Sequence, residues 1–403
     1  MNLTVKKNIL GFLLFFIIIV TTCFSQEDEY ESMTDKEFDL IEEARTYLIQ
    51  DNYDTALYKF KEVLSEFPDN SIAMLGYTIA LLNKEMYCDV IDVSTKVLEK
   101  NPNDIDYLSY RGFAYSKLCE YKKAINDYTI LIKNGCASCE IYIKRGDAYF
   151  YDSQYENAIN DYTVSIERAQ RENISPNEAY VSRADAYFYL TEYEKAISDY
   201  TFLLNNGCVH EGVYIKRGDA YFFESKYKNA IEDFSAAIKM IKEKKYINVS
   251  AYFNRANSYL FLQDYKNAVN DYTIVIKNDP KNYEAYRRRA DSYFNMNLYE
   301  KALADCNMLI SLQPDNIEGY LNRGAVYIAL NKFRKALKDS DYALKYSDNS
   351  SEPYMLKARA FYELGKNIES LKACNKAIEL SPENKKIYDF REKIETSINS
   401  KKQ

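Results

Sequence analysis

The chain is short of the residues that turn corners. It has 11 Gly and 7 Pro in 403 residues, well under the roughly 12% that the two together average. Sandwiches, barrels and loop-rich α/β folds need Gly and Pro at their corners, so the shortage argues against them. It argues against disordered linkers too. Trp is absent, and His occurs once, as His210. A single imidazole removes most metal-site and catalytic-triad architectures, because imidazole supplies the base or ligand in most of them. There is no Gly-rich phosphate loop and no HExxH helix. The expectation is a non-enzymatic protein with no catalytic residue, cofactor or metal ligand. What the chain has instead is Tyr, 40 copies of it.

The N-terminus carries a targeting pattern. Lys6 and Lys7 precede an apolar run, Ile9 to Val20, followed by Thr21-Thr22-Cys23-Phe24-Ser25-Gln26. A basic start, about a dozen apolar residues and a small residue before a polar break have the layout of a secretory signal. Residues 1–25 are read as that signal, cleaved after Ser25. Val20-Thr21-Thr22-Cys23 also resembles a lipobox, which would put a lipid anchor on Cys23, and an uncleaved anchor is the third reading. All three imply export to a periplasm, cell envelope or exterior. Residues 26–36 are read as an acidic spacer: Glu27 to Arg45 holds nine acids and two bases, against a net charge of −7 for the whole chain. The rest is close to neutral and has no basic footprint for nucleic acid.

Overlaying the chain on itself exposes a repeat, the pattern to seek first. "YIKRGDAYF" occurs at Tyr142–Phe150 and again at Tyr214–Phe222, with related strings from Tyr180, Tyr252, Tyr286 and Tyr320. Each is followed at constant spacing by a segment such as "YKKAINDYT" from Tyr121. The repeats start at Glu37, Ser71, Ile105, Cys139, Asn177, Glu211, Val249, Tyr283, Ile317 and Ser351, at intervals of 34 residues and twice of 38. Position 8 is small (Gly112, Gly146, Ala184, Gly218) and position 20 is usually Ala (Ala124, Ala158, Ala196), so two helices can approach closely. Pro stands at position 32 in five repeats (Pro68, Pro102, Pro280, Pro314, Pro382), where it ends the second helix. Each repeat is a helix–turn–helix that cannot bury its apolar face alone and must stack on its neighbours.

These columns resemble the tetratricopeptide repeat (TPR) family, whose Leu-Gly, Tyr, Ala, Phe and Pro positions they match over residues 37–384. Repeat 2 departs from the pattern at Thr78, Leu81 and Val90, and repeat 10 at Asn367 and Ser370. The resemblance implies an all-α fold, a TPR superhelical solenoid of about ten helix–turn–helix repeats. Residues 385–403, with Ile387, Phe390, Ile394 and Ile398 at helical spacing, are read as a capping helix. The two 38-residue intervals each add about one helical turn, at Ile166–Asn173 and Ile238–Tyr246. The second carries Lys239, Lys242, Lys244 and Lys245, read as an exposed helix end.

Position 7 departs from the family's usual Leu. It is Arg in repeats 3 to 9 (Arg111, Arg145, Arg183, Arg217, Arg255, Arg289, Arg323), and the same repeats have Asp at position 23 (Asp127, Asp161, Asp199, Asp233, Asp271, Asp305, Asp339). Repeat 1 reverses the signs, with Glu43 and Lys59. Joint presence and joint absence predict an ion pair between the two helices, in one repeat or across to the next, that pins the register.

Cysteine adds little. Cys136, Cys139, Cys208 and His210 have the look of four zinc ligands, but Cys136 and Cys208 lie two repeats apart. With helices packing ~8–10 Å apart, that is roughly 20 Å, beyond one ion's reach. Cys136 and Cys139 stand close enough in sequence for a local disulfide in an oxidising compartment, or remain as thiols. Cys88, Cys119, Cys306 and Cys374 are expected to be small packing residues. Arg145-Gly146-Asp147 spells a cell-attachment tripeptide but lies inside a first helix, with its Gly at the packing position.

In TPR proteins the first helices line a concave groove through positions 2, 5, 9, 12 and 13. Carried over, the resemblance places Asp147, Asp185, Asp219, Asn257 and Asp291 there at position 9, Phe150, Phe188 and Phe222 at position 12, and Tyr151, Tyr189 and Phe223 at position 13. The family's clamp for acidic C-termini takes Lys at position 5 and Asn at position 9. Ile143/Asp147 and Ile215/Asp219 do not supply it. A protein or peptide segment with basic and apolar side chains suits this surface, aromatic pockets supplying binding energy and acids setting polarity. Two functions follow as expectations: an exported scaffold that binds a protein through the groove, or a structural or accessory subunit of an envelope assembly held by its convex face.

Overall fold

The computed structural model describes residues 33–243 and 246–400. The signal-like segment 1–25 with Cys23, most of the spacer, Lys244 and Lys245 lie outside the described residues. Among the described residues there are 21 helices and no strand, and no helix is long and apolar enough to cross a membrane. The chain divides into two compact units, Met1–Ala179 and Tyr180–Gln403.

The first unit holds α1 (Asp35–Ile49), α2 (Tyr53–Glu66), α3 (Ser71–Asn83), α4 (Tyr87–Lys100), α5 (Ile105–Lys117), α6 (Tyr121–Lys133), α7 (Cys139–Tyr151) and α8 (Tyr155–Arg171). The division falls within α9 (Asn177–Tyr189). The second unit continues with α10 (Tyr193–Asn205), α11 (Glu211–Phe223), α12 (Tyr227–Glu243), α13 (Val249–Phe261), α14 (Tyr265–Asn278), α15 (Tyr283–Asn295) and α16 (Tyr299–Leu312). It ends with α17 (Ile317–Ala329), α18 (Phe333–Tyr346), α19 (Ser351–Glu363), α20 (Asn367–Leu380) and α21 (Lys385–Ser400). First helices begin at repeat position 1 (α1 starts two residues earlier) and second helices at position 17, so each repeat is a helix pair joined by a tight turn.

Local signals set these boundaries. Asn70, Asp104, Ser138, Asn248 and Asn282 each precede a first helix and accept a hydrogen bond from its third backbone N–H, meeting a donor the helix cannot satisfy itself. The second helices that meet Pro stop two residues before it, as α2 stops at Glu66 ahead of Pro68. The turn between paired helices puts position 15 in the left-handed region in every repeat. Nine of these residues are not Gly: Asp51, Glu85, Cys119, Ser153, Thr191, Ser225, Gln263, Asn297 and Asn331; the tenth is Gly365. The scarce glycine is thus missing from the place where a helix C-terminus favours it. Thr191, β-branched at φ 60°, is the most strained residue type for this conformation. Thr191→Gly is expected to raise stability by about 1 kcal/mol, read from the urea midpoint; an unchanged or lowered midpoint refutes the strain.

Packing follows the small columns. Ala56, Ala124, Ala158, Ala196, Ala230, Ala268, Ala302 and Ala336 at position 20 are all fully buried. At position 8, Gly146 lies under the Tyr162 ring and Gly218 under the Phe234 ring, so close that a Cβ would sit 2.7 Å and 2.9 Å from a ring carbon. The two longer repeats extend their second helices: α8 and α12 have 17 residues where α6 and α10 have 13. Ile166 and Ala169, and Ile238 and Ile241, continue the buried face through the added turn. Lys239 and Lys242 are exposed. At the far end, Ile387 and Ile394 of α21 are buried and Phe390 and Ile398 pack beside them on repeat 10.

The Arg–Asp pairs form in all seven repeats. Each Arg forks onto its own repeat's Asp, Nε to Oδ2 and Nη2 to Oδ1, at 2.7–3.0 Å. The Asp side chains are 2–8% exposed. Six of the Arg residues also donate from Nη1 to position 25 of the preceding repeat: Thr95, Thr129, Thr201, Ser235, Thr273 and Asn307, at 2.8–3.3 Å. In repeats 4 to 9 the guanidinium lies against the rings of position 4 and position 11, as Arg217 does with Tyr214 and Tyr221 at 5.9 and 5.7 Å; three and four residues away, these sit on one helical face. In repeat 1 the reversed pair also forms, Lys59 Nζ to Glu43 Oε1 at 3.0 Å.

The cysteines correct one expectation. Cys306 and Cys374 are buried, but Cys88 and Cys119 are exposed, because they sit at the solvent side of α4's first turn and in the left-handed turn before α6. Cys136 and Cys139 are free thiols. Cys136 packs on the core around Tyr110 and Tyr128, while the Cys139 thiol donates to Glu172 Oε2 at 3.8 Å.

Candidate functional site

Positions 9, 12 and 13 fall on one helical face, three and four residues apart. In the first unit this face belongs to α7. Phe150 meets the edge of Tyr155, the first residue of α8, at 5.3 Å. Tyr151 stacks on Tyr121 of the preceding repeat at 5.7 Å and 21° and is still 64% exposed. One turn back, Asp147 Oδ1 accepts from the Tyr162 hydroxyl at 2.8 Å. Burial raises the Asp147 pKa to about 6, Glu178 adds to the rise, and the Tyr162 hydrogen bond and Lys144 oppose it. Burial also raises Glu140, at position 2 of the same helix.

In the second unit the rings join into one stack. Phe188 meets Tyr193 at 5.2 Å and Phe223 at 5.6 Å. Phe223 lies flat on Tyr193 at 5.3 Å and 14°. Phe222 meets Phe223, Tyr227 and Phe261 at 5.7, 5.5 and 5.5 Å, and Phe261 lies flat on Tyr227 at 4.9 Å and 8°. In repeats 4, 6 and 7 position 13 stacks on position 17 of the repeat before, and the position-12 Phe of repeats 4, 5 and 6 meets the position-17 ring of its own repeat edge-on. Position 12 therefore works mainly as packing. Position 13 stays open, with Tyr189 at 61%, Phe223 at 56% and Phe261 at 52% exposure.

The expected row of carboxylates is uneven. Asp185 accepts from the Tyr200 hydroxyl and pairs with Lys216 of the next repeat. Asn257 accepts from the Tyr272 hydroxyl at 2.6 Å. Asp291 faces Arg287 Nη1 at 3.9 Å, and that guanidinium is shared with Glu284 and Glu318. Asp219 accepts from Asn254 Nδ2 at 2.7 Å. Burial raises its pKa to about 6, against that hydrogen bond. Three members of the row (Asp147, Asp185 and Asn257) thus hold the hydroxyl of a buried Tyr at position 24. Positions 6, 17 and 24 were not singled out as site positions in the sequence. For position 24 a partial signal existed: Tyr stands there in repeats 3, 4, 5 and 7, and in the last three of these position 9 is Asp or Asn, while repeat 3 has Phe113.

A carboxylate whose folded pKa lies above its unfolded value favours the fold most when protonated. That contribution is complete below about pH 4 and lost as pH rises through about 6. Relative to Asp219→Asn, the wild type is expected to lose up to about 3 kcal/mol between pH 4 and pH 7. Urea melts of both proteins across that range check it; parallel pH profiles exclude the raised pKa.

Family models described as tetratricopeptide repeat match residues 212–244, 253–317 and 351–384. With the in-register helix pairs, they make the chain a tetratricopeptide repeat protein. No curated protein matches it. Among solved structures it is similar to the C-terminal part of a TPR repeat-containing protein from Cytophaga hutchinsonii, at 17% identity over 61% of this chain and 98% of that one, with a TM-score of 0.50. A tetratricopeptide repeat protein from Parabacteroides merdae is also similar, at 17% identity over 64% of this chain and 98% of that one, with a TM-score of 0.45. At such identities the likeness is of fold. The chain is built as a protein-interaction scaffold, as its repeats define.

Proposed function

We propose that the protein is an exported, non-enzymatic scaffold that binds a segment of another envelope protein through first-helix faces such as those of α7 and α11. One observation carries the reading: the exposed rings of Tyr151 and Phe223, each anchored by stacking on the neighbouring repeat, stand one helical turn from the half-buried carboxylates of Asp147 and Asp219. Rings held in place bind with little loss of side-chain freedom, and acids nearby favour a basic partner. Export rests on the layout of residues 1–25.

The test is partner capture by crosslinking in intact envelopes, comparing wild type with a variant carrying Asp147→Asn, Asp185→Asn and Asp219→Asn. Asn keeps the acceptor for the Tyr162 and Tyr200 hydroxyls, as Asn257 does for Tyr272, so the fold is expected to survive. Capture is expected to fall at least about tenfold. Unchanged capture with unchanged stability rules the surface out and favours an accessory subunit held by its opposite face.

A further inference from the structure

We propose that Asp219, with Phe222 and Phe223 one turn further along α11, receives a Lys or Arg side chain from an extended protein segment. This rests on the scaffold reading and narrows it to one carboxylate.

The acids of the second unit's row differ in whether their charge is already met. Asp185 has Lys216, and Asp291 has Arg287. Lys216, one turn before Asp219 on the same helix, is turned to Asp185 instead. The position-24 residue of this repeat is Phe234, which has no hydroxyl to give. Asp219 is left with the neutral amide of Asn254, and among the described residues no Lys or Arg forms an ion pair with it. A half-buried carboxylate without a countercharge is costly to the fold. Packing does not require the charge, because repeat 7 has Asn257 in the same column.

The neighbouring rings supply the rest of the recognition. Phe223 rests one face on Tyr193, is edged by Phe188 and Phe222, and remains 56% exposed. A cation that reaches Asp219 passes along this ring, where its ammonium or guanidinium gains from the π face and its aliphatic stem covers apolar surface. Charge complementarity and an anchored aromatic wall thus select a basic side chain.

The test uses the full chain and two synthetic peptides, acetyl-Leu-Phe-Arg-Leu-Phe-amide and the same peptide with citrulline, the neutral isostere, in place of Arg. Binding is followed by fluorescence anisotropy and by the side-chain amide resonances of Asn254. The Arg peptide is expected to shift those resonances saturably and to bind at least about tenfold tighter than the citrulline peptide. Asp219→Asn should abolish the preference, and Asp348→Asn, an exposed acid in the turn after α18, should leave it intact. Equal binding of the two peptides, no saturable change at Asn254, or a preference that survives Asp219→Asn each overturns the proposal. The peptide pair decides on wild-type protein alone should the variant fold poorly. If the triple variant loses its envelope partner while the peptides are not distinguished, this assignment fails and the scaffold reading stands.

Discussion

Arg217→Ala is expected to lower stability by about 3–5 kcal/mol, because it strands Asp233 in the interior without its partner. The Asp233 side chain is 6% exposed, and its two oxygens accept the two arms of one guanidinium, each at 2.7 Å. Removing the Arg also releases Thr201 of the preceding repeat and the packing between Tyr214 and Tyr221. Arg217→Lys should recover only part of the loss, since an ammonium cannot fork onto a carboxylate. Lys59→Ala is the control. Its pair with Glu43 has the same placement, but the side chains are 23% and 44% exposed, so its loss is expected at or below about 1 kcal/mol. Urea melts of the Arg217, Asp233 and double variants complete a mutant cycle. Coupling below about 0.5 kcal/mol would remove the pin from the account.

Phe234→Ala is expected to cost about 3–5 kcal/mol, the usual range for emptying a buried aromatic site. Phe234 is fully buried, and its ring fills the space that Gly218 leaves open. The glycine and the ring are two halves of one contact. Gly218→Ala gains helix propensity of about 1 kcal/mol, yet its Cβ would lie 2.9 Å from a ring carbon. Overpacking of that kind costs about 1–3 kcal/mol, so a net loss is expected. With both changes, the new methyl enters the void left by the ring, and the double variant should be more stable than the two losses together imply. Thermal melts check the order; additive losses would show that the two residues do not share one space.

Most of the fold was legible because the sequence repeats its packing. Ten copies of one pattern reveal which columns are small, which are large and which carry opposite charge; that positions 7 and 23 pair was readable from columns, but that the pair closes within one repeat, as Arg145 and Asp161 do, was not. The site was legible in part. That Phe222 and Phe223 share a face follows from helical periodicity. What Phe223 stacks on does not, since Tyr193 belongs to the repeat before and the contact depends on the offset between stacked helix pairs. The same limit hid Thr201, whose hydroxyl serves the next repeat's Arg, and Lys216, which pairs with Asp185 of the repeat before rather than with Asp219 in its own helix. Contacts within a repeat were written in the columns; contacts between repeats needed a register as well.

The backward reach of the arginines gives the array a direction of growth. Thr95 serves Arg111 and Thr129 serves Arg145 in the first unit; in the second, Thr201 serves Arg217, and so on to Asn307 and Arg323. A repeat duplicated within this run finds an acceptor waiting in its predecessor and offers one to its successor. Repeat 10 breaks the chain of supply: Lys357 replaces the Arg, bonds Asp341 of repeat 9 and has Ala373 where the Asp would stand. α21 packs on repeat 10, and the run of backward bonds gives the array a polarity, each bond made by the later repeat on the earlier.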